Sequence, residues 1–121
     1  MARIDSIMDL LDTGMRAEGL RQRAIAANVA NLETRGYRRS DVRFEQLLAK
    51  ALDAPDGLDL EDVEPQLYQP RQTAVKANGN DVNLEQEVGE MVKNSLREKT
   101  FMRLLSKKYR QIESAMDTGR A

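Results

Sequence analysis

The chain has 121 residues, 40% of them hydrophobic and 32% charged, with a net charge of −1. That length gives room for one domain, and the near balance of charge lacks the basic excess of a nucleic-acid binder. With no Cys and no His, the chain has no thiol nucleophile, no disulfide, no imidazole base and no ordinary zinc site.

Two Phe, three Tyr and no Trp supply little aromatic area, so a large self-sufficient core is not expected. The charge is unevenly placed. Residues 1–50 carry nine bases and seven acids, residues 51–75 one base (Arg71) and six acids, and residues 76–121 nine bases and seven acids. Two mildly basic arms therefore flank an acidic centre, which reads as a solvated loop or as a contact for basic neighbours. The acids Asp53, Asp56, Asp59, Glu61, Asp62 and Glu64 lack the calcium-loop spacing, so neither a metal nor any other cofactor is expected. No apolar run approaches the roughly 20 residues that span a bilayer, so no direct membrane insertion is expected. The start, Met1-Ala2-Arg3-Ile4-Asp5, lacks the apolar core of a cleaved signal peptide.

The first element is a helix over 3–31, with Ile4, Met8, Leu11, Met15, Ile25 and Val29 on one face. Glu18 and Gln22 interrupt that stripe, and Gly14 and Gly19 flank the weak spot. Each Gly costs about 1 kcal/mol against Ala in a helix interior, so the helix reads as marginal when isolated. It is expected to stop near Asn31 or Leu32, with a loop through Gly36 and Tyr37. Phe44, Leu47, Leu48 and Leu52 then predict a short amphipathic helix over 42–52. Residues 53–82 are punctuated by Pro55, Gly57, Pro65, Pro70 and Gly79, with a turn at Asn78-Gly79-Asn80-Asp81. Leu67-Tyr68 and Thr73-Ala74-Val75 suggest a small hairpin there.

The last helix is expected to start after Asn83, which with Gln86 reads as a capping box. Its acids lie early (Glu85, Glu87, Glu90) and its bases late (Lys107, Lys108, Arg110), as the helix dipole favours. Val88, Met91, Ser95, Glu98, Met102, Leu105, Tyr109, Ile112 and Met116 recur at alternating gaps of four and three. That alternation marks a helix whose stripe packs against another helix. A helix from Leu84 to Asp117 would be about 50 Å long at ~1.5 Å per residue, and needs a partner of similar length. The fold expected is therefore mainly α: long amino- and carboxyl-terminal helices pairing as an antiparallel coiled-coil-like hairpin around a short irregular or small β middle. Its parts are a helical assembly segment over 1–52, the acidic segment 53–82, and the long assembly helix 83–121.

The polar residues on these faces carry two readings each. Ser95 and Glu98 are local fraying or an Arg-paired carboxylate at the surface, or else a device that fixes register by penalising wrong alignments. Asn28 and Asn31 are caps, or buried amides that tie one subunit's backbone to another, since a buried amide must be hydrogen-bonded.

Ala27-Asn28-Val29-Ala30-Asn31, followed by Thr34, Gly36 and Tyr37, resembles the amino-terminal motif of the bacterial flagellar rod and hook proteins. Asn78-Gly79-Asn80-Asp81-Val82-Asn83-Leu84-Glu85-Gln86-Glu87 and Leu104-Leu105-Ser106-Lys107-Lys108-Tyr109 resemble the short proximal-rod members of that family. The resemblance covers roughly residues 10–50 and 76–117. Relatives often carry Pro where Arg35 stands and an aromatic near Glu98. The resemblance implies a structural subunit of the proximal rod, not an enzyme. It implies packing with other rod proteins, with copies of itself and with the basal-body ring or adaptor at the rod base. It also implies transit through the flagellar type III export apparatus without a cleaved signal, and a final place in the rod crossing the periplasm. The contrasting reading of the same helices is a cytosolic helical adaptor or export chaperone.

Overall fold

The computed structural model describes residues 3–53 and 63–119, with side chains from Ile7 onward. Helix α1 runs Arg3–Ala30 and helix α3 runs Leu84–Gly119; between them come strand β1 (Asp41–Arg43), helix α2 (Glu45–Leu52) and strand β2 (Gln66–Tyr68). The two long helices pack on each other. Their contacts set them antiparallel: Asn28 meets Glu87 and Glu18 meets Asn94, while Gly14 lies under Phe101. The mainly helical hairpin with a small β middle is the fold that the sequence predicts.

Helix α3 starts where expected: Asn83 Oδ1 accepts from the Gln86 amide at 3.0 Å, filling one of the free donors of the first turn. Helix α1 ends on its own motif. The Asn31 amide still bonds Ala27 O (3.0 Å), the Thr34 amide bonds Asn31 O (3.1 Å), and the chain then turns.

Two local expectations are corrected. The partner of Leu67-Tyr68 is not Thr73–Val75 but β1, in antiparallel register with Asp41 opposite Tyr68 and Val42 opposite Leu67. Pro70 has no amide to donate, and Arg71 sits at φ 55, so the chain leaves β2 without turning back on it. The short helix begins at Glu45 rather than at residue 42, because Val42 is committed to the strand pair and Phe44, at φ −143 and ψ −50, is not yet helical. Arg43 lies over the Tyr68 ring, 4.3 Å from its centre, across the same pair. The expected punctuation at Pro55 and Gly57, and the acids Asp56, Asp59, Glu61 and Asp62, lie outside the described residues.

The apolar core is small. Ala17, Phe44, Ala51 and Val63 are buried together, with Leu48 packed against them. Gly14 serves the helix pair: a Cβ there would stand 2.4 Å from the Phe101 ring, so its absence lets the ring lie against the α1 backbone. Many of the other buried side chains are polar or charged, Glu18, Asn28, Asn80, Asp81, Glu87 and Asn94 among them. Such groups remain buried only where they are paired. No helix among the described residues is long and apolar enough to cross a membrane.

Candidate functional site

The front motif and the Asn78–Glu87 segment, far apart in sequence, meet in one buried polar clasp. Asn28 is at its centre and is fully enclosed. Its Nδ2 donates to Ser40 O (2.9 Å) and to Glu87 Oε2 (3.1 Å). Its Oδ1 accepts from the Tyr37 hydroxyl (3.0 Å) and from the Ser40 amide (2.9 Å). Two donors and two acceptor sites are all that an amide has, so Asn28 is saturated. Asp or Leu could not match that set.

Asn80 performs the reciprocal task from the rear segment. Its Nδ2 donates to Asn31 O and Thr34 O, both at 2.8 Å, and its Oδ1 accepts from the Val82 amide at 2.7 Å. Asn31 braces the same turn: its Nδ2 donates to Ala27 O (2.8 Å), and its Oδ1 accepts from Thr34 Oγ1 (3.0 Å). The loops then touch backbone to backbone. The Gly36 amide donates to Asn78 O at 2.9 Å, and Gly36 and Gly79 both adopt positive φ, 75 and 83. A Cβ on Gly79 would lie 3.4 Å from the Gly36 Cα. Both positions favour glycine for its freedom in this region.

Charge completes the clasp. Arg39 Nε donates to Glu87 Oε1 at 2.7 Å, the Arg39 amide donates to Asp81 Oδ1 at 2.6 Å, and Arg39 also faces Asp41. Arg38 Nε lies 3.4 Å from Asp81 Oδ2 as a charge contact without a hydrogen bond. Burial alone would lower the Arg39 pKa, but the hydrogen bond and charge of Glu87, with Asp41 behind them, outweigh it and hold the pKa above the ordinary value.

A second cluster crosses the hairpin midway. Glu18 is buried and takes Arg97 Nε at 2.8 Å, Arg21 Nη1, and Asn94 Nδ2 at 3.0 Å; Asn94 also donates to Glu18 O at 2.8 Å. Arg21 reaches on to Glu45 at the start of α2, so one network joins all three helices. Burial opposes charge on Arg21 and on Glu45. Their mutual hydrogen bond and charges override it, raising the Arg21 pKa and lowering that of Glu45.

The residues singled out from sequence divide between these clusters and the surface. Asn28, Asn31, Thr34, Gly36 and Tyr37 stand together in the clasp, within one chain. On α1, Ile25 is buried, and Met8, Leu11, Met15 and Val29 are half-buried; the Ile4 side chain lies outside those described. On α3, Leu105 and Ile112 are half-buried, but Val88, Met91, Met102, Tyr109 and Met116 are 45–63% exposed. The α3 residues that meet α1 lie one position earlier: Glu87, Asn94 and Phe101. Ser40, Arg39 and Arg97 carry no site expectation from the sequence; Asn80 and Asp81 read there only as turn residues of the rear motif, and Glu87 only as an acid favoured by the helix dipole.

What this arrangement does chemically is hold and align. Its buried amides and charges are turned on one another, and the fold they close is a helical hairpin knotted at one end by this clasp. No family model matches the sequence. Two flagellar proteins do: Flagellar basal body rod protein FlgB of Borreliella burgdorferi is 30% identical over 95 residues, spanning 64% of this chain and 70% of the relative. Flagellar basal body rod protein FlgB of Bacillus subtilis is 19% identical over 129 aligned residues, spanning 99% of this chain and 100% of the relative. The chain belongs to the flagellar basal-body rod protein family.

Proposed function

We infer that the chain is a structural subunit of the proximal rod, of the type named rod protein B, and that it passes torque by helix packing. The observation that carries this reading is the uncovered stripe on α3. Val88, Met91, Met102, Tyr109 and Met116 lie at helical spacing on one face and remain exposed after the hairpin has closed. An apolar face of that extent on a small protein marks an interaction site. Burying one large side chain contributes about 1.5–3 kcal/mol, so several such residues outweigh the ordering of a helix end. The occupants in this reading are helices of other rod proteins and of further copies of the chain, with the basal-body ring or adaptor at the rod base. The clasp supplies a fixed knot from which α3 projects. Transit through the type III export apparatus without a cleaved signal is part of the same reading. A core this small and polar gives up little apolar burial when the chain is threaded.

The test is purification of intact basal bodies from cells carrying the tagged chain. Co-purification with rod components, together with loss of rod growth but retained export in Met102→Asp, is expected. A tagged chain confined to the cytosolic fraction, bound to export clients, would instead establish the adaptor or chaperone reading.

A further inference from the structure

Helix α3 offers two faces to α1, and the less apolar one is in contact. Glu87 and Asn94 are buried against α1, seven residues apart, with Phe101 seven further on and over Gly14. The apolar row Val88, Met102 and Tyr109 lies one residue along, about 100° round the helix, and is exposed. Apolar burial alone would turn α3 by that angle and close its greasy row onto α1. The closed hairpin has not done so.

We propose that Glu18 with Asn94, and Asn28 with Glu87, form a rotational lock that selects which face of α3 meets α1 and keeps the apolar row turned outward. The argument is one of satisfaction. Glu18 and Asn28 are both buried on the contact face of α1. Asn94 donates to the Glu18 carboxylate and to its backbone carbonyl, and Glu87 accepts from Asn28 while holding Arg39. Turning α3 by one residue would withdraw both partners at once. It would strip the buried Glu18 of Asn94 and Arg97, leaving it only Arg21, and would take Glu87 from both Asn28 and Arg39, a costly loss of bonds for buried polar groups. Polar residues at packed positions thus set alignment at the expense of apolar contact, a known use of such groups. Phe101 adds a steric stop, because only Gly14 leaves room for the ring. The lock acts within the chain and holds whatever the outward row meets.

The chain has no native cysteine, so single thiols report each face without background. Met102→Cys and Val88→Cys are made separately, and maleimide labelling is followed on dilute monomer. In the native background both thiols are expected to react as exposed groups. In Glu18→Ala with Asn94→Ala the middle pair is gone, and the Asn28–Glu87 pair alone is not expected to hold the face. Helix α3 turns as one body, so labelling at 102 is expected to slow at least fivefold and labelling at 88 to slow with it. An unchanged rate at 102, at unchanged helicity, overturns the proposal. Should the double variant lose its helicity, Asn94→Ala alone decides: at least twofold slowing at 102 supports the lock, and an unchanged rate overturns it. Loss of helicity in that single variant also counts against it, because Asn94 would then be needed for folding rather than for the choice of face.

Discussion

Asn28→Ala is the most informative single change. It deletes four hydrogen bonds from a fully buried amide, those to the Ser40 amide and carbonyl, the Tyr37 hydroxyl and Glu87. Each is worth about 1 kcal/mol net, and a partner left buried and unpaired costs more. Tyr37 is half-buried, so its hydroxyl recovers a bond to water. The other three bonds, at about 1 kcal/mol each, give a loss of about 3 kcal/mol, or roughly 150-fold in the folding equilibrium. Urea unfolding followed by circular dichroism measures this directly, as a lower midpoint with an unchanged slope. A loss below about 1 kcal/mol would refute the reasoning, because the clasp would then not be the knot of the fold. Asn28→Asp is a useful control. It retains an acceptor but sets a second carboxylate against Glu87, so it is expected to destabilise more at pH 7 than near pH 4.

The remaining predictions follow from the same geometry. Gly79→Ala and Gly36→Ala both force a side chain into positive φ, at about 1–2 kcal/mol; Gly79→Ala is expected to be the worse, since its Cβ would meet the Gly36 backbone while the space at Gly36 is open. Thermal melts of the pair rank them. The Glu45 pKa is lowered in the fold from its ordinary 4.5 by Arg21, against the opposing effect of burial. Its contribution is therefore complete above about pH 4.5 and is lost as pH falls through the depressed value. Glu45→Gln should remove that part of the acid transition in a pH titration of stability, and a superimposable titration would contradict it. Met102→Asp and Leu105→Asp are expected to abolish rod growth and motility while export persists. Met102→Asp should leave monomer stability within about 0.5 kcal/mol, because the site is exposed.

Much of this fold is legible in the residues. The Asn83 cap, the dipole-ordered charges and the three-four spacing define α3, and the proline-free apolar stripe before Asn31 defines α1. Length then demands that the two pair. The face was not legible. A spacing pattern locates an apolar stripe but does not say whether its partner is in the same chain, and Glu18 reads as an interruption until Asn94 and Arg97 are seen to complete it. Asn28 reads as a cap or a buried amide, while its partners, Ser40, Tyr37 and Glu87, lie 9 to 59 residues away. No local rule connects such separations. The β pair failed for a similar reason. Asp41-Val42-Arg43 is three residues of mixed character, too short for alternation to register, and its partner is 25 positions on from Val42, at Leu67.

The central claim is that the polar clasp closes within one chain while the apolar row of α3 is completed between chains. Thiol labelling of Val88→Cys and Tyr109→Cys, in motile strains, compares the dilute monomer with intact basal bodies. Rapid labelling of the monomer and strong protection in the basal body is the expected result. Equal labelling in both states, in a rod that contains the chain, would contradict it.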